Sequence, residues 1–235
     1  QGFQLIGNAL DNHIQGGGGD DSISAGSGSD ELVGGLGNDS LDGGTGFDTA
    51  SYEYAESAVT VNLKTGKASG SEIGSDSLKN IEEIRGGKGN DVLTAADSGS
   101  ELVGGLGNDK LQGGSGIDNL YGGVGNDSIN AGNGNDELIG ELGNDTLDGG
   151  AGFDCANYET SKSDLTVNLK AGTASGADIG ADKLTSIEEV CAGSGNDSLI
   201  ASDTGSQLEG AAGNDQLTGG LKTDTLYGGD GNDSI

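Results

Sequence analysis

Residues 104–157 read GGLGNDKLQ, GGSGIDNLY, GGVGNDSIN, AGNGNDELI, GELGNDTLD and GGAGFDCAN, six copies of one nine-residue unit with no gap between them. The consensus is Gly-Gly-x-Gly-x-Asp-x-aliphatic-x, with aspartate at position six and an aliphatic residue at position eight. A disordered low-complexity chain has no reason to keep such a phase. The repeat therefore predicts a folded solenoid of stacked units.

The unit recurs in three blocks that together hold eighteen nonamers, the last of them one residue short. Position six is aspartate in fifteen nonamers, and position eight is leucine or isoleucine in sixteen. We expect one continuous solenoid, divided into a lead-in and first block (1–51), an insert (52–85), a central block (86–157), a second insert (158–191) and a third block (192–235).

The two inserts are copies of each other. Residues 34–112 align without a gap to residues 140–218, at an offset of 106, and both inserts contain TVNLK, ASG and IEE. Within the first, Val59, Val61 and Leu63 alternate as the residues of a strand do. Each insert either continues the roll as a wider coil, or packs a hairpin on its side, or forms a recognition surface for a saccharide or a cell-surface partner.

Three tyrosines bear on this choice. Tyr52, Tyr54 and Tyr158 lie in the inserts and are the aromatic residues expected to serve a recognition surface. The same side chains are equally suited to covering the roll where Ala50 and Ala156 take the place of the larger aliphatic residue at position eight.

Composition and charge narrow the class of partner. The chain has 50 glycines, 31% hydrophobic and 3% aromatic residues, too little apolar mass for a conventional core. Its formal net charge of −29 opposes compaction unless cations neutralise it, and it disfavours nucleic acid and anionic membranes. No stretch of 18 apolar residues appears, so we expect no membrane insertion by this segment. Divalent cations are the natural partner.

Features expected of an enzyme are sparse. His13 is the only histidine and lies in the lead-in, and the chain has no G-x-S-x-G elbow. The adjacent carboxylates Glu82 and Glu83 would point to opposite faces of a strand, which makes a poor acid/base pair. We expect no catalytic site in this segment.

The nonamer can be interpreted position by position. Glycines at one, two and four allow a tight turn with positive φ and inward carbonyls, and the aspartate adds a carboxylate at its end. Positions seven to nine form a short strand with one side chain in the interior, and two nonamers form one coil. Turns two units apart then stack about 4.8 Å from each other, where paired aspartates need a cation. Ca²⁺ accepts six to eight carboxylate and carbonyl oxygens and fits this set better than Mg²⁺.

This motif resembles the hemolysin-type calcium-binding repeat of RTX (repeats-in-toxin) proteins, and the inserts resemble the Val-Thr-Val-Asn-Leu segments between repeat blocks of large RTX proteins. The resemblance implies an all-β fold, a right-handed parallel β-roll with several calcium ions at its turns. It also implies export through a type I secretion channel and folding outside the cell, as a secreted or bacterial cell-surface protein. Because the chain starts and stops within a repeat, we expect a fragment of a longer polypeptide, such as a large adhesin or toxin.

Carried onto this sequence, the resemblance places each calcium between position-six residues two nonamers apart. The pairs are Asp21 with Asp39, Asp30 with Asp48, Asp91 with Asp109, Asp109 with Asp127, Asp118 with Asp136, Asp127 with Asp145, Asp136 with Asp154, Asp197 with Asp215 and Asp215 with Asp233. Backbone carbonyls are expected near Gly17, Gly19, Gly35, Gly37, Gly105, Gly107, Gly114, Gly116, Gly123, Gly125, Gly132, Gly134 and Gly143.

Departures from the consensus weaken particular sites. Ser100 and Ser206 stand at position six of nonamers that also lack the turn glycines. Lys222 replaces a glycine in the turn before Asp224, so we expect a weakened calcium site there.

Cys155 and Cys191, the only cysteines, flank the second insert. A disulfide between them would suit an extracellular setting, whereas RTX proteins are usually poor in cysteine, so the sequence leaves both the bridged and the free state open.

The sequence leaves three functions in view. The first is a calcium-binding structural and folding module of a secreted protein. The second is a calcium-dependent module that binds a glycan or cell surface. The third is an accessory domain of a secreted enzyme, such as a protease, lipase or alginate epimerase.

Overall fold

The computed structural model describes residues 1–235, and its regular structure consists entirely of β-strands. In chain order the strands are β1 (Gln4–Ile6), β2 (His13–Gly18), β3 (Ser22–Ser27), β4 (Glu31–Leu36), β5 (Ser40–Thr45), β6 (Thr49–Ser51), β7 (Val59–Asn62), β8 (Lys67–Gly70), β9 (Gly74–Lys79), β10 (Glu83–Arg85), β11 (Val92–Thr94), β12 (Glu101–Leu106), β13 (Lys110–Gln112), β14 (Asn119–Val124), β15 (Ser128–Asn130), β16 (Glu137–Leu142), β17 (Thr146–Asp148), β18 (Cys155–Asn157), β19 (Thr166–Asn168), β20 (Thr173–Gly176), β21 (Gly180–Thr185), β22 (Glu189–Cys191), β23 (Ser198–Ile200), β24 (Gln207–Glu209), β25 (Gln216–Thr218) and β26 (Thr225–Tyr227).

These strands form two sheets, each continuous along the chain. The first sheet has 15 strands in the order β1-β3-β5-β9-β8-β7-β11-β13-β15-β17-β21-β20-β19-β23-β25, and the second has 11 in the order β2-β4-β6-β10-β12-β14-β16-β18-β22-β24-β26. Within the repeat blocks successive strands of the chain alternate between the sheets, so two nonamers make one coil. The parallel β-roll predicted from the repeat is confirmed.

The register follows the repeat. Leu102 pairs with Leu120, and Leu120 pairs with Leu138, so each partner lies 18 residues, or two nonamers, further along the chain. Position eight of every interior coil points between the two sheets, and all three leucines are fully buried. One aliphatic side chain per nonamer therefore fills a thin core, and each burial contributes about 1.5–3 kcal/mol.

Each insert adds three strands to the first sheet and one to the second. In the first insert, β9 pairs in parallel with β5, β8 runs antiparallel between β9 and β7, and β7 pairs with β11 of the next block. Meanwhile β10 pairs in parallel with both β6 and β12. The insert thus continues the roll in both sheets, with an antiparallel meander widening one of them. The second insert repeats the arrangement.

The three tyrosines of the inserts divide into two kinds. Tyr52 and Tyr158 are buried and join the core beside Ala50 and Ala156, whereas Tyr54 is 71% exposed. No helix in the structure has the length and apolar character needed to cross a membrane.

Candidate metal centres

Aspartates at position six lie where each turn enters the next strand. The backbone N–H of Asp109 donates to Oδ1 of Asp127 over 2.7 Å, and the N–H of Asp127 donates to Oδ1 of Asp145 over 2.8 Å. The same bond joins most position-six residues 18 apart, at both turns of the coil. Each carboxylate is thereby held by one oxygen against the coil that precedes it, with its side chain turned into the protein.

The second carboxylate oxygen is where the protein leaves a binding group unused. Eleven position-six aspartates have an Oδ2 that is buried and without a hydrogen-bond partner. Leaving such an oxygen ionised and unpaired in the interior is costly, so this pattern requires a cation or a proton. The residues are Asp21, Asp30, Asp39, Asp48, Asp109, Asp127, Asp136, Asp145, Asp154, Asp197 and Asp215.

Position-one glycines leave room beside these oxygens. A Cβ on Gly122 would lie 2.5 Å from Oδ2 of Asp127 and 2.9 Å from the carbonyl oxygen of Gly140, on the next coil. A Cβ on Gly104 would likewise lie 2.5 Å from Oδ2 of Asp109 and 2.4 Å from the carbonyl oxygen of Gly122. A carboxylate and a carbonyl of the next coil therefore converge beside each of these glycines.

The carbonyls predicted at positions two and four stack along the roll. The oxygen of Gly105 lies 2.2 Å from where a Cβ of Gly123 would stand, so a side chain there would require the two coils to shift. Ten other predicted carbonyls face a glycine of the following coil in the same way. They belong to Gly17, Gly19, Gly37, Gly107, Gly114, Gly116, Gly125, Gly132, Gly134 and Gly143. The position-one carbonyls that lie nearest to Oδ2 were not singled out from the sequence.

The backbone at position two separates two kinds of turn. In eleven turns this residue has a positive φ, and we call these turns open. Ten of the eleven aspartates with an unpartnered Oδ2 belong to open turns. Glu141 (φ 66°) and Ala211 (φ 63°) adopt this conformation although they are not glycine, which shows that the stacking of the coils imposes it.

In five other turns, which we call closed, the position-two N–H donates to the side chain at position six and takes the place of a cation. The N–H of Gly87 donates to Oδ2 of Asp91, and that of Gly114 donates to Oδ2 of Asp118, both over 2.7 Å. Asp224 receives the same bond from Gly220, and Ser100 and Ser206 receive it through their hydroxyls. Calcium ligation by Asp91 and Asp118 stays a prediction. In both closed turns the Oδ2 atom that would bind the ion already accepts a backbone N–H.

Both ladders of position-six residues continue through the inserts. Asp39 donates its N–H to Oδ1 of Asp76, and Asp48 donates its N–H to Oε2 of Glu82. Their counterparts in the second insert are Asp182 and Glu188. Sequence reasoning missed these four acids. The signal for Asp76 and Asp182 was the run Gly-x-Asp-x-Leu at 74–78 and 180–184, which reproduces positions four to eight of the nonamer.

Asparagines at position five form a second ladder that sequence reasoning did not identify. The Asn108 N–H donates to Oδ1 of Asn90, and the Asn126 N–H donates to Oδ1 of Asn108. These bonds run toward the start of the chain, opposite to the aspartate ladder. The asparagine side chains accept hydrogen bonds from turn N–H groups without any metal. Each Asn-Asp pair therefore joins neighbouring coils by one neutral and one charged side chain.

Burial makes several of the position-six aspartates hard to ionise. Desolvation, together with the charges of Asp91 and Asp127, raises the pKa of Asp109 from 3.8 to about 7, and the pKa of Asp145 also rises to about 7. Burial raises the pKa of Asp136 to about 6. No lysine or arginine forms an ion pair with these three carboxylates. A divalent cation would supply the missing positive charge.

The donor set fits calcium. Its oxygens are carboxylate and peptide carbonyl, the ligands that hard cations prefer. Nowhere do three side chains of histidine, cysteine, aspartate or glutamate converge on one point, so any site must be completed by backbone oxygens. The ions would be held through the Oδ2 atoms of Asp21, Asp30, Asp39, Asp48, Asp109, Asp127, Asp136, Asp145, Asp154, Asp197 and Asp215.

Two other features lie outside these turns. The thiol sulfurs of Cys155 and Cys191 are 3.7 Å apart on neighbouring strands, and no disulfide joins them in the structure. His13 is exposed on β2 and lies 2.8 Å from Glu31.

A parallel β-roll with bare carboxylate oxygens at its turns defines a calcium-binding structural module. The family model of the RTX calcium-binding nonapeptide repeat matches residues 6–41, 15–50, 80–98, 103–138, 121–154, 192–221 and 209–235. Together these segments span more than half of the chain, which therefore belongs to this family. No curated protein matches the chain.

Proposed function

We propose that this chain is a calcium-triggered folding element of a secreted protein. The observation that carries the proposal is the row of buried Oδ2 atoms without a partner. With a net charge of −29, the metal-free coils repel one another, and the thin core offsets little of the entropy lost on ordering a glycine-rich backbone. Binding of cations at the turns would therefore be coupled to folding.

This coupling suits passage through a type I secretion channel. A chain that stays expanded while calcium is scarce can be threaded through a channel, and calcium outside the cell then drives it into the roll. The segment would serve as a stalk, spacer or folding nucleus for a larger polypeptide at the cell surface or in the medium. In this role the three repeat regions and two inserts fold as one solenoid, and the segment has no catalytic task.

Far-UV circular dichroism tests the proposal. The chain is placed in chelator and titrated with calcium, with magnesium as the control cation. We expect a cooperative transition from coil to β-structure with calcium and none with magnesium, since Mg²⁺ demands a stricter octahedron. A spectrum that is already β-rich in chelator and unchanged by calcium would refute the proposal.

A second candidate is binding of a surface glycan beside the first insert. A groove of about 220 Å³ lies there, lined among others by Val33, Leu36, Tyr54 and Glu72. An exposed aromatic ring next to carboxylate and amide groups is suited to stacking on a sugar. In the second insert Thr160 stands in place of Tyr54. A glycan array in calcium should show binding that the Tyr54→Thr variant loses; absence of binding to the wild-type chain excludes this candidate.

A further inference from the structure

At each insert the residue that follows a position-six aspartate in the ladder is a glutamate of the insert and not an aspartate of a nonamer. Glu82 follows Asp48 in the ladder, and Glu188 follows Asp154, each pair being 34 residues apart. Oε2 of Glu82 accepts the N–H of Asp48 over 3.0 Å, and Oε2 of Glu188 accepts that of Asp154 over 3.1 Å. A glutamate thus replaces the aspartate at position six, and its Oε1 is left for another partner.

Asp48 and Asp154 each have an unpaired carboxylate oxygen, at corresponding places beside the two inserts. Asp48 and Asp154 are completely buried, and the Oδ2 of each has no hydrogen-bond partner. A Cβ on Gly43 would lie 2.6 Å from Oδ2 of Asp48 and 2.2 Å from the carbonyl oxygen of Asn80. The two oxygens therefore converge beside Gly43, as Oδ2 and a position-one carbonyl do in an open nonamer turn.

The carbonyl comes from a residue held in an unusual conformation. Asn80 has a φ of 51°, and so does Ser186 at the corresponding place in the second insert. A Cβ on Gly149 would lie 2.2 Å from the Ser186 carbonyl oxygen and 2.8 Å from Oδ2 of Asp154. A left-handed conformation is uncommon for any residue but glycine. Two different residues adopt it, which indicates that the position requires it.

The other ladder ends differently at the insert. Oδ2 of Asp76 accepts the hydroxyl of Tyr52 over 3.2 Å, and Oδ2 of Asp182 accepts the hydroxyl of Tyr158 over 3.1 Å. In those places a protein donor satisfies the carboxylate. No such donor reaches Oδ2 of Asp48 or Asp154, and no lysine or arginine pairs with Glu82 or Glu188.

We propose that each insert completes the calcium site at the last nonamer turn before it: Glu82 and the Asn80 carbonyl join Asp48 Oδ2 at the first insert, and Glu188 and the Ser186 carbonyl join Asp154 Oδ2 at the second. The site extends one ladder of cations beyond the nonamers, which end at residues 51 and 157. The nonamers that follow on this ladder have closed turns at Ser100 and Ser206, so each glutamate ends one run of cations along it. This inference rests on the proposed calcium-dependent function.

Equilibrium dialysis against calcium tests the inference by counting ions bound at saturation. The double variant Glu82→Gln, Glu188→Gln keeps the shape of both side chains and removes their charge, and it should bind two ions fewer than the wild-type chain. The matched control Glu53→Gln, Glu159→Gln makes the same charge change at exposed positions of the inserts and should bind as many ions as the wild type. An unchanged count in the glutamate variant, or an equal loss in the control, overturns the inference.

A second measurement does not depend on any variant. Anomalous diffraction at long wavelength from calcium-grown crystals of the wild-type chain should show a peak about 2.3–2.6 Å from Oδ2 of Asp48 and from the Asn80 carbonyl. Peaks at the other nonamer turns without one beside Asp48 refute the sites completed by the inserts and leave the proposed function standing. A wild-type chain that binds no calcium at all refutes the proposed function instead.

Discussion

The backbone N–H of Asp109 donates to Oδ1 of Asp127 on the next coil over 2.7 Å, while Oδ2 of Asp127 is buried without a partner. One oxygen of the carboxylate thus fastens two coils together, and the other is left for a cation. This division of roles within one side chain links the stacking of the roll to its ion binding.

Removing the charge at one such position should weaken the response to calcium. Asp127→Asn keeps an acceptor for the Asp109 N–H but replaces a charged ligand by a neutral group. We expect the calcium concentration at half-folding to rise about 10-fold, equivalent to about 1.4 kcal/mol. A calcium titration followed by circular dichroism measures this shift.

Asp20→Asn is the control for that variant. Asp20 is exposed at position five, where half of the nonamers have asparagine, and its Oδ1 accepts the N–H of Asn38. The change removes one charge from a neighbouring position without touching a position-six carboxylate, so the midpoint should move by less than a factor of about 2. Equal shifts in the two variants would mean that bulk charge, and not ligation, governs folding.

A methyl group at position four should block a turn. In Gly125→Ala the new Cβ would fall on the carbonyl oxygen of Gly107, and the residue would have to keep a φ of 147°. We expect a loss of about 1–3 kcal/mol from the free energy of unfolding in calcium, because the stacked coils leave no room for a side chain there. Gly18→Ala is the control, since a Cβ there meets nothing within 4 Å. Urea unfolding of both variants measures the two losses, and similar values would contradict the close stacking of the coils at Gly125.

Stability should depend on pH in opposite directions with and without calcium. Burial holds the folded-state pKa of Asp109 and Asp145 at about 7, above the ordinary value of 3.8. Between these values the folded state binds more protons than the unfolded state, so the metal-free roll loses stability as the pH rises from about 4 to about 7. In chelator, β-structure should therefore increase on acidification.

With calcium present the trend should reverse, since protons compete with the cation for the same carboxylates. Circular dichroism at pH 4, 5.5 and 7, in chelator and in calcium, gives both curves. Parallel curves would show that the buried aspartates do not hold the cation.

The two cysteines should form a disulfide when oxidised. Their sulfurs are 3.7 Å apart, and Cys155 pairs with Glu189 while Cys191 pairs with Asn157, so they are diagonal neighbours on adjacent strands. The hydrogen bond between the two thiols, together with burial, raises the pKa of the Cys155 thiol, so oxidation should be slow at neutral pH. We expect a mass decrease of about 2 Da and about 3–4 kcal/mol of added stability, as chain-entropy arguments give for such a loop.

Cys155→Ala provides the control, because it leaves one thiol and no partner within the chain. Oxidised and reduced samples of this variant should melt alike in calcium. A wild-type chain that keeps two titratable thiols after prolonged oxidation would show that the strands hold the sulfurs apart.

Much of the roll follows from the sequence because its period is local. Nine residues with one aliphatic at position eight set the length of a turn and a strand, and two such units bring Leu102 beside Leu120. The constant place of aspartate at position six likewise predicted that these residues lie at the turns. Asp76 and Glu82 were missed because the meander of the insert separates them from Asp39 and Asp48 by 37 and 34 residues, and no fixed period reveals that pairing.

The sequence alone determined the period, the coil of two units, the core at position eight and the acids at position six. Only the tertiary structure decided which carboxylate oxygens are left bare. Gly114 and Gly132 both stand at position two, yet the turn before Asp118 is closed and the turn before Asp136 is open, with a φ of 101° at Gly132. Glycine permits both backbone conformations at little cost, so the residue itself carries no preference. The stacked coils on either side select one of them, and that selection determines whether an aspartate meets an N–H group or is left for a cation.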